Sequence, residues 1–226
     1  MKYYNIKKGI FKKRENRFIA YIEINGKIEK CHVKNTGRCK ELLVDNAVVF
    51  VEENFSEKRK TKFSLTSVIK NDLLVNMDSQ APNKAVYEWL KNGGLFDNLT
   101  FLKSEVKFKN SRFDFYAEIN DKKIFIEVKG VTLEENGIVK FPDAPTQRGI
   151  KHILGLCEAV QEGYEAYIIF VVQMKHAKWF EPNYKTHPEF GATLKTAREH
   201  GVNILAFDCD VGIDFININQ NIEVRL

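Results

Sequence analysis

The sequence predicts a chain in two unequal parts. An all-β barrel spans residues 1–80, and an α/β core with a mixed sheet spans residues 81–226. Three observations carry this reading. Short alternating strands separated by turn signals fill the first part. Near Ala81 the pattern switches to helices alternating with strands. The run 166–172 is apolar on both faces, as a central parallel strand must be.

Taken in order, the first strands are expected at residues 3–11, 18–24, 28–33, 47–52, 62–69 and 73–76. Asn25-Gly26 is a strong two-residue hairpin signal between the second and third, and Asn71-Asp72 resembles it. With one small helical insert at 39–44, this set suits a five-stranded Greek-key barrel. Helix 83–91 then ends at Gly93-Gly94. Strands 101–108, 112–119 and 123–129 follow. A helix entered through Pro142–Thr146 runs to about Glu162, with apolar residues Ile150, Ile153, Leu154, Cys157 and Val160. After strand 166–173 come a loop at 176–187, a helix at 191–200, a strand at 203–208 and a closing strand pair at 215–225. The parts are expected to pack together, with a joint near 78–82.

The chemistry concentrates in residues 112–130, RFDFYAEINDKKIFIEVKG. Strand side chains alternate between faces. Phe113, Phe115, Ala117 and Ile119 therefore share one face, and Asp114, Tyr116 and Glu118 the other. In the partner strand Ile124, Ile126 and Val128 oppose Phe125, Glu127 and Lys129. A two-residue turn at Asn120-Asp121 pairs Ile119 with Lys122 and hence Asp114 with Glu127. Facing carboxylates on an apolar strand pair repel unless neutralised. Hard oxygen ligands suit Mg²⁺ or Mn²⁺, and Lys129 beside them suits phosphodiester chemistry. The competing reading is a solvated face with an ordinary ion pair. It is weakened by how apolar the strands are.

Glu105 is a candidate third metal ligand, and Glu88 lies on the first helix. Gln147, Arg148, Lys151 and His152 occupy the first turns of the later helix. Arg148 and Lys151 at that helix start are suited to a phosphate. In the barrel, Gly37 of Asn35-Thr36-Gly37-Arg38 permits close approach to a phosphate that Arg38 would grip, or Arg38 caps the small helical insert after it.

The formal net charge is +5, with Arg14, Arg17 and several lysines crowding the N-terminus and Lys58, Arg59, Lys60 and Lys62 forming a second cluster. Interleaved aromatics such as Phe11, Phe18 and Phe63 fit nucleic-acid contact. A hydrophobic content of 44% excludes wholesale disorder. The four cysteines form no C-x-x-C pair and read as reduced thiols of a cytoplasmic protein. Apolar runs are too short to span a bilayer, and no membrane partner is expected. There is no glycine-rich nucleotide loop and no Ser-His-Asp arrangement.

The stretches RFIAYIEING, HVKNTGR, SRFDF, IEVKGVTL, FPDAPTQRGIKHI and IIFVVQM resemble the sugar fermentation stimulation protein (SfsA) family over nearly the whole chain. The resemblance implies an OB-type barrel followed by a restriction-endonuclease-like α/β/α core of the PD-(D/E)xK kind. It implies non-specific DNA binding linked to sugar metabolism, with DNA favoured as partner. Monomer and homodimer both stay open. Onto this chain the nuclease pattern carries Asp114, Glu127 and Lys129 as metal and catalytic residues, Glu88 as the first-helix acid and Gln147 as the polar residue of the following helix. Two departures are visible: Arg112-Phe113 stands where a proline would precede Asp114, and Cys39 follows NTGR. The function expected is that of a Mg²⁺- or Mn²⁺-dependent phosphodiesterase acting on DNA. The alternative is a DNA-binding regulator without catalysis.

Overall fold

The computed structural model describes residues 1–35, 37–56 and 59–226. Lys58 of the second basic cluster, and Thr36, lie outside them. The first sheet contains β1 (Ile6–Arg14), β2 (Ile19–Ile24), β3 (Lys27–Val33), β4 (Val48–Glu53), β5 (Phe63–Lys70) and β6 (Leu73–Asn76). Its order is β3-β2-β1-β4-β5-β6, and β3 also pairs with β5 in parallel. That last pairing closes β1 to β5 into the OB-like barrel, leaving β6 as an extension. Both expected hairpin turns form. Asn25 and Gly26 have φ of 51° and 76°, and Asn71 and Asp72 have 47° and 66°. Paired left-handed residues are what a type I′ turn requires. The small helix expected at 39–44 is a single turn, closed by Leu43 N–H donating to the Cys39 carbonyl.

The remaining elements are α1 (Ala81–Lys91), β7 (Leu99–Phe108), β8 (Ser111–Ile119), β9 (Lys122–Val131), β10 (Leu133–Glu135), β11 (Ile138–Phe141), α2 (Gln147–Gln161), β12 (Glu165–Val172), β13 (Trp179–Pro182), α3 (Pro188–Glu199), β14 (Asn203–Val211) and β15 (Ile216–Val224). They build a nine-stranded mixed sheet, β10-β11-β13-β15-β14-β12-β9-β8-β7. Strand β12 runs parallel to both β9 and β14 and is buried on both faces, as its composition requires. Three short strands were not expected. β13 falls in the segment read as a loop, and β10 and β11 form a small hairpin joined to it. The closing strand pair expected at 215–225 is the single strand β15, antiparallel to β14.

Alternation within β9 divides the core. Ile124, Ile126 and Val128 pack under Ala81, Val86 and Leu90 of α1. Phe125 packs on the opposite face with Ile153 and Leu156 of α2 and Leu194 of α3. Burying each such side chain stabilises the fold by about 1.5–3 kcal/mol. The helices therefore clamp the sheet from both sides, and the C-terminal end of β9 lies between α1 and α2.

The two sheets are tied by buried polar groups. Gln173 donates from Nε2 to Asn76 Oδ1 at 3.0 Å and to the Asp78 carbonyl at 3.1 Å. Asn76 donates to the Tyr3 hydroxyl at 2.9 Å. Residues Met1 to Tyr3 leave the barrel and pack against the second sheet, where Lys2 bridges Phe215.

Candidate functional site

The hairpin register is the expected one. Ile119 pairs with Lys122, and pairing continues to Phe115 with Ile126. Asp114 and Glu127 are the next residues along, where the ladder opens. The expectation that their side chains share a face is corrected, however. Phe113 packs on the α2 side with Phe108 and Phe125, whereas Phe115 packs on the α1 side near Tyr87. Alternation thus breaks at Asp114. Opposite it in β7, between the Ser104–Phe115 and Val106–Phe113 pairs, Glu105 adopts a left-handed φ of 58°. The distortion lets Asp114 accept from the Val128 backbone N–H at 2.7 Å, in place of a ladder bond, and from Asn83 of α1 at 2.7 Å.

Glu127 approaches from the α2 side. It is only 2% exposed. Its Oε1 bonds both the Lys129 ammonium and His152 Nδ1. Arg148 donates to His152 Nε2 at 3.4 Å, which makes Nδ1 the protonated nitrogen and the donor to Glu127. Glu127 Oε2 is buried with no hydrogen-bond partner among the described residues. A buried carboxylate oxygen left bare is costly, and such an atom needs an explanation.

The two acids are electrostatically distinct. Burial and the nearby Glu127 charge push the Asp114 carboxyl up to about 6, against the pull of Val128 N–H, Lys129 and Asn83. Burial also works to raise Glu127, but His152 and Lys129 outweigh it and hold that carboxyl below its ordinary value. Gly130 follows Lys129, and no side chain fits there. A Cβ would lie 2.6 Å from Gln173 Oε1 and 2.8 Å from Pro82.

The other expected site residues make contacts of their own. Glu105 is exposed and paired with Arg112 at 3.0 Å. Glu88 pairs with the Met1 amino group at 2.6 Å. Both line a cavity of about 330 Å³ with Asn83 and Asp114, on the α1 side of the sheet. Among the described residues no three His, Cys, Asp or Glu side chains gather as a metal cluster, so Glu105 does not complete one. Gln147 is exposed and donates to Glu189 at 3.4 Å. It lies five positions before His152, about 140° around the helix, so it faces away from Glu127. His152 takes the place expected for Gln147. Lys151 is exposed on the outer side of α2, in a cavity with Lys109 and Leu154.

In the barrel, the side chains of Arg14 and Asn35, expected at the nucleic acid, are engaged in supporting the loop. The Arg14 guanidinium donates to five backbone carbonyls, those of Asn16, Arg17, Asn35, Gly37 and Arg38, at 2.7 to 3.2 Å. Five is its full complement of N–H groups. Asn35 donates to the Met77 carbonyl and accepts from Gly37 N–H, so both ends of its amide are engaged. Gly37 does allow a close approach, but to Asp143, whose Oδ2 would lie 2.6 Å from a Cβ there. The Arg38 backbone N–H donates to the same oxygen at 3.1 Å. The NTGR and FPDAPTQRG segments therefore meet at the seam between the two sheets. Arg17 and Arg38 keep exposed side chains beside it.

Residues 80–214 match the family described as "Sugar fermentation stimulation protein RE domain", and residues 13–77 match "SfsA N-terminal OB domain". This chain belongs to the SfsA family. It is 62% identical over 226 residues to the sugar fermentation stimulation protein homolog of Clostridium beijerinckii, covering all of both chains. It is 59% identical to the Ruminiclostridium cellulolyticum homolog, again over the full length of both. The solved structure of Pyrococcus furiosus SfsA in complex with Ca²⁺ superposes with a TM-score of 0.91 at 26% identity, covering 100% of this chain and 98% of that one. The SfsA fold is thus an OB-like barrel followed by a mixed sheet with helices, and the restriction-endonuclease-like second part gives the family a DNA-related character. No helix among the described residues is long and apolar enough to cross a membrane.

Proposed function

We propose that this SfsA protein is a metal-dependent phosphodiesterase acting on DNA, with Mg²⁺ or Mn²⁺ held between Asp114 and Glu127. The observation that carries the reading is the bare, buried Oε2 of Glu127, beside an Asp114 whose ionisation the fold resists. A hard divalent cation takes oxygen ligands and offsets both penalties. The Ca²⁺ in complex with Pyrococcus furiosus SfsA is a cation of the same ligand preference.

When bound, the cation supplies Lewis-acid stabilisation and a water acidified toward neutrality. Glu127 would offer Oε2 to it, its Oε1 being held by His152 and Lys129, and Asp114 would offer the carboxylate that Val128 N–H and Asn83 orient. Lys129, at the strand end, offsets negative charge on the phosphate as the water oxygen bonds to phosphorus. The phosphorus–O3′ bond breaks as the water gives up a proton to solvent and O3′ takes one from solvent, leaving a 3′-hydroxyl and a 5′-phosphate.

One observation favours the second reading, a DNA-binding regulator without catalysis: no three-ligand cluster gathers among the described residues. Incubation of wild type and Glu127→Gln with single- and double-stranded DNA in Mn²⁺ separates the two. Catalysis predicts Mn²⁺-dependent cleavage that falls at least about a hundredfold in the variant, with DNA binding kept. Absence of cleavage under every metal and substrate condition, with salt-sensitive binding intact, leaves the regulator.

A further inference from the structure

The cleft at the seam between barrel and sheet has no part in the chemistry above. A cavity of about 680 Å³ there is lined by the cations Arg17, Arg38 and Lys40 together with the apolar Leu43, Phe141 and Pro142. Arg14 also borders it, with all its donors turned to backbone. The one carboxylate in the wall, Asp143, is occupied by Arg38 N–H. A second chamber of about 190 Å³ shares Gly37, Phe141 and Asp143 with the first and extends to Gly130. Gly130 is the neighbour of Lys129, so the lining of the second cavity comes within one residue of the strand end that carries the acids.

We infer that this cleft binds an unpaired segment of nucleic acid, its phosphates on Arg17, Arg38 and Lys40 and a base against the apolar side chains. The inference deepens the DNA reading above and rests on it. The chemistry of the lining selects the form of the ligand. A duplex keeps its bases stacked inside and offers phosphates and groove edges, for which apolar side chains have no use. An unstacked strand exposes both a charged backbone and an apolar base face, and matches a cleft whose lining combines cations with apolar side chains. Arg14 donates to the carbonyls of Asn35, Gly37 and Arg38, and Asp143 accepts from Arg38 N–H, so the backbone on which Arg38 stands is tied to both sheets.

Fluorescence anisotropy on the full chain tests this, in EDTA so that no substrate is consumed. The probes are a labelled twelve-nucleotide oligothymidine, a blunt twelve-base-pair duplex, and that duplex with a single-stranded overhang. Oligothymidine and overhang are expected to bind at least about tenfold more tightly than the blunt duplex at equal salt. In the Arg38→Ala, Lys40→Ala double variant the preference disappears. The slope of log affinity against log salt for oligothymidine falls by about 1.4, two phosphate contacts at about 0.7 each. Both side chains are exposed, and an unchanged melting temperature confirms that the variant folds. Equal or tighter binding of the blunt duplex, or a loss shared equally by all probes, overturns the unpaired-strand inference and leaves the DNA reading standing. Failure to bind any probe at low salt overturns both.

Discussion

The seam loop and the end of β9 are both rich in polar groups, yet they treat them oppositely. In the loop every identified polar demand is met. Arg14 spends five donors on five carbonyls, Asn35 engages both ends of its amide, and Asp143 receives Arg38 N–H. At the strand end Glu127 is almost wholly buried with one oxygen bare, and Asp114 resists ionisation. Sequence chemistry alone suggests the reverse, since arginine and asparagine in a glycine-bearing loop look like ligand contacts. The contrast teaches that residue type does not separate support from function. An unmet charged group in a buried place is the stronger pointer, because a bare carboxylate oxygen costs more than a bare hydroxyl such as that of Ser67, the other buried atom without a partner among the described residues.

The sharpest way to break this contrast is to remove Arg14. Arg14→Ala strips a charged donor set from five carbonyls and is expected to destabilise the protein by about 3 kcal/mol. For a chain of this size that lowers the melting temperature by about 6–12 °C. Arg14→Lys recovers little, because an ammonium has three donors and no planar fork. Arg17→Ala, at an exposed side chain, stays within about 0.5 kcal/mol of wild type. Equal effects at Arg14 and Arg17 in thermal denaturation would mean that Arg14 does not support the loop.

A smaller effect sharpens the other side. His152→Leu removes the donor that holds Glu127 Oε1, and Mn²⁺ affinity by calorimetry is expected to fall about 10- to 100-fold. His152→Asn places an amide N–H where Nδ1 stood and recovers most of that loss. If leucine and asparagine bind Mn²⁺ equally well, His152 is packing and does not orient the carboxylate.

Much of the site is legible in the sequence, and the misses have physical causes. The two-residue Asn120-Asp121 turn and strict alternation in β9 fix which residues face across the hairpin. The break at Asp114 is not legible, because a left-handed glutamate at position 105 leaves no signature in residue type. The apolar pattern of α2 holds at Ile150, Ile153 and Cys157, which are buried, but Leu154, expected in the core, is 49% exposed, while Gly149, His152 and Leu156 join the buried stripe. A lone histidine amid that stripe, four residues after Arg148, is the available signal for the missed residue. Arg14 resembles a ligand contact in the sequence because its partners are backbone carbonyls, whose directions depend on the whole loop. Strands β10, β11 and β13 are three or four residues long and depend on one another for pairing, so no local pattern announces them.

The smallest effect bears most directly on the unmet demand itself. Asp114 has a folded-state value of about 6 against 3.8 for the free group, because burial and Glu127 disfavour its charge. The folded protein then holds a proton that the unfolded chain has released. The stability this confers is complete below about pH 4 and is lost as pH rises through about 6. Glu127, held below its ordinary value, alters stability only at lower pH. The difference between wild type and Asp114→Asn from about pH 5 to 7 therefore reads Asp114. In EDTA at about pH 7, Asp114→Asn is expected to be more stable by about 1 kcal/mol. The full electrostatic relief of about 3 kcal/mol is reduced because asparagine has one acceptor for the two donors, Val128 N–H and Asn83. In Mn²⁺ the order reverses, since a cation that competes with the proton stabilises only the carboxylate form. Thermal denaturation across that pH range, with and without Mn²⁺, checks both signs. An Asp114→Asn variant less stable than wild type in EDTA at neutral pH would mean that the fold wants this charge, and the strand end would then resemble the loop.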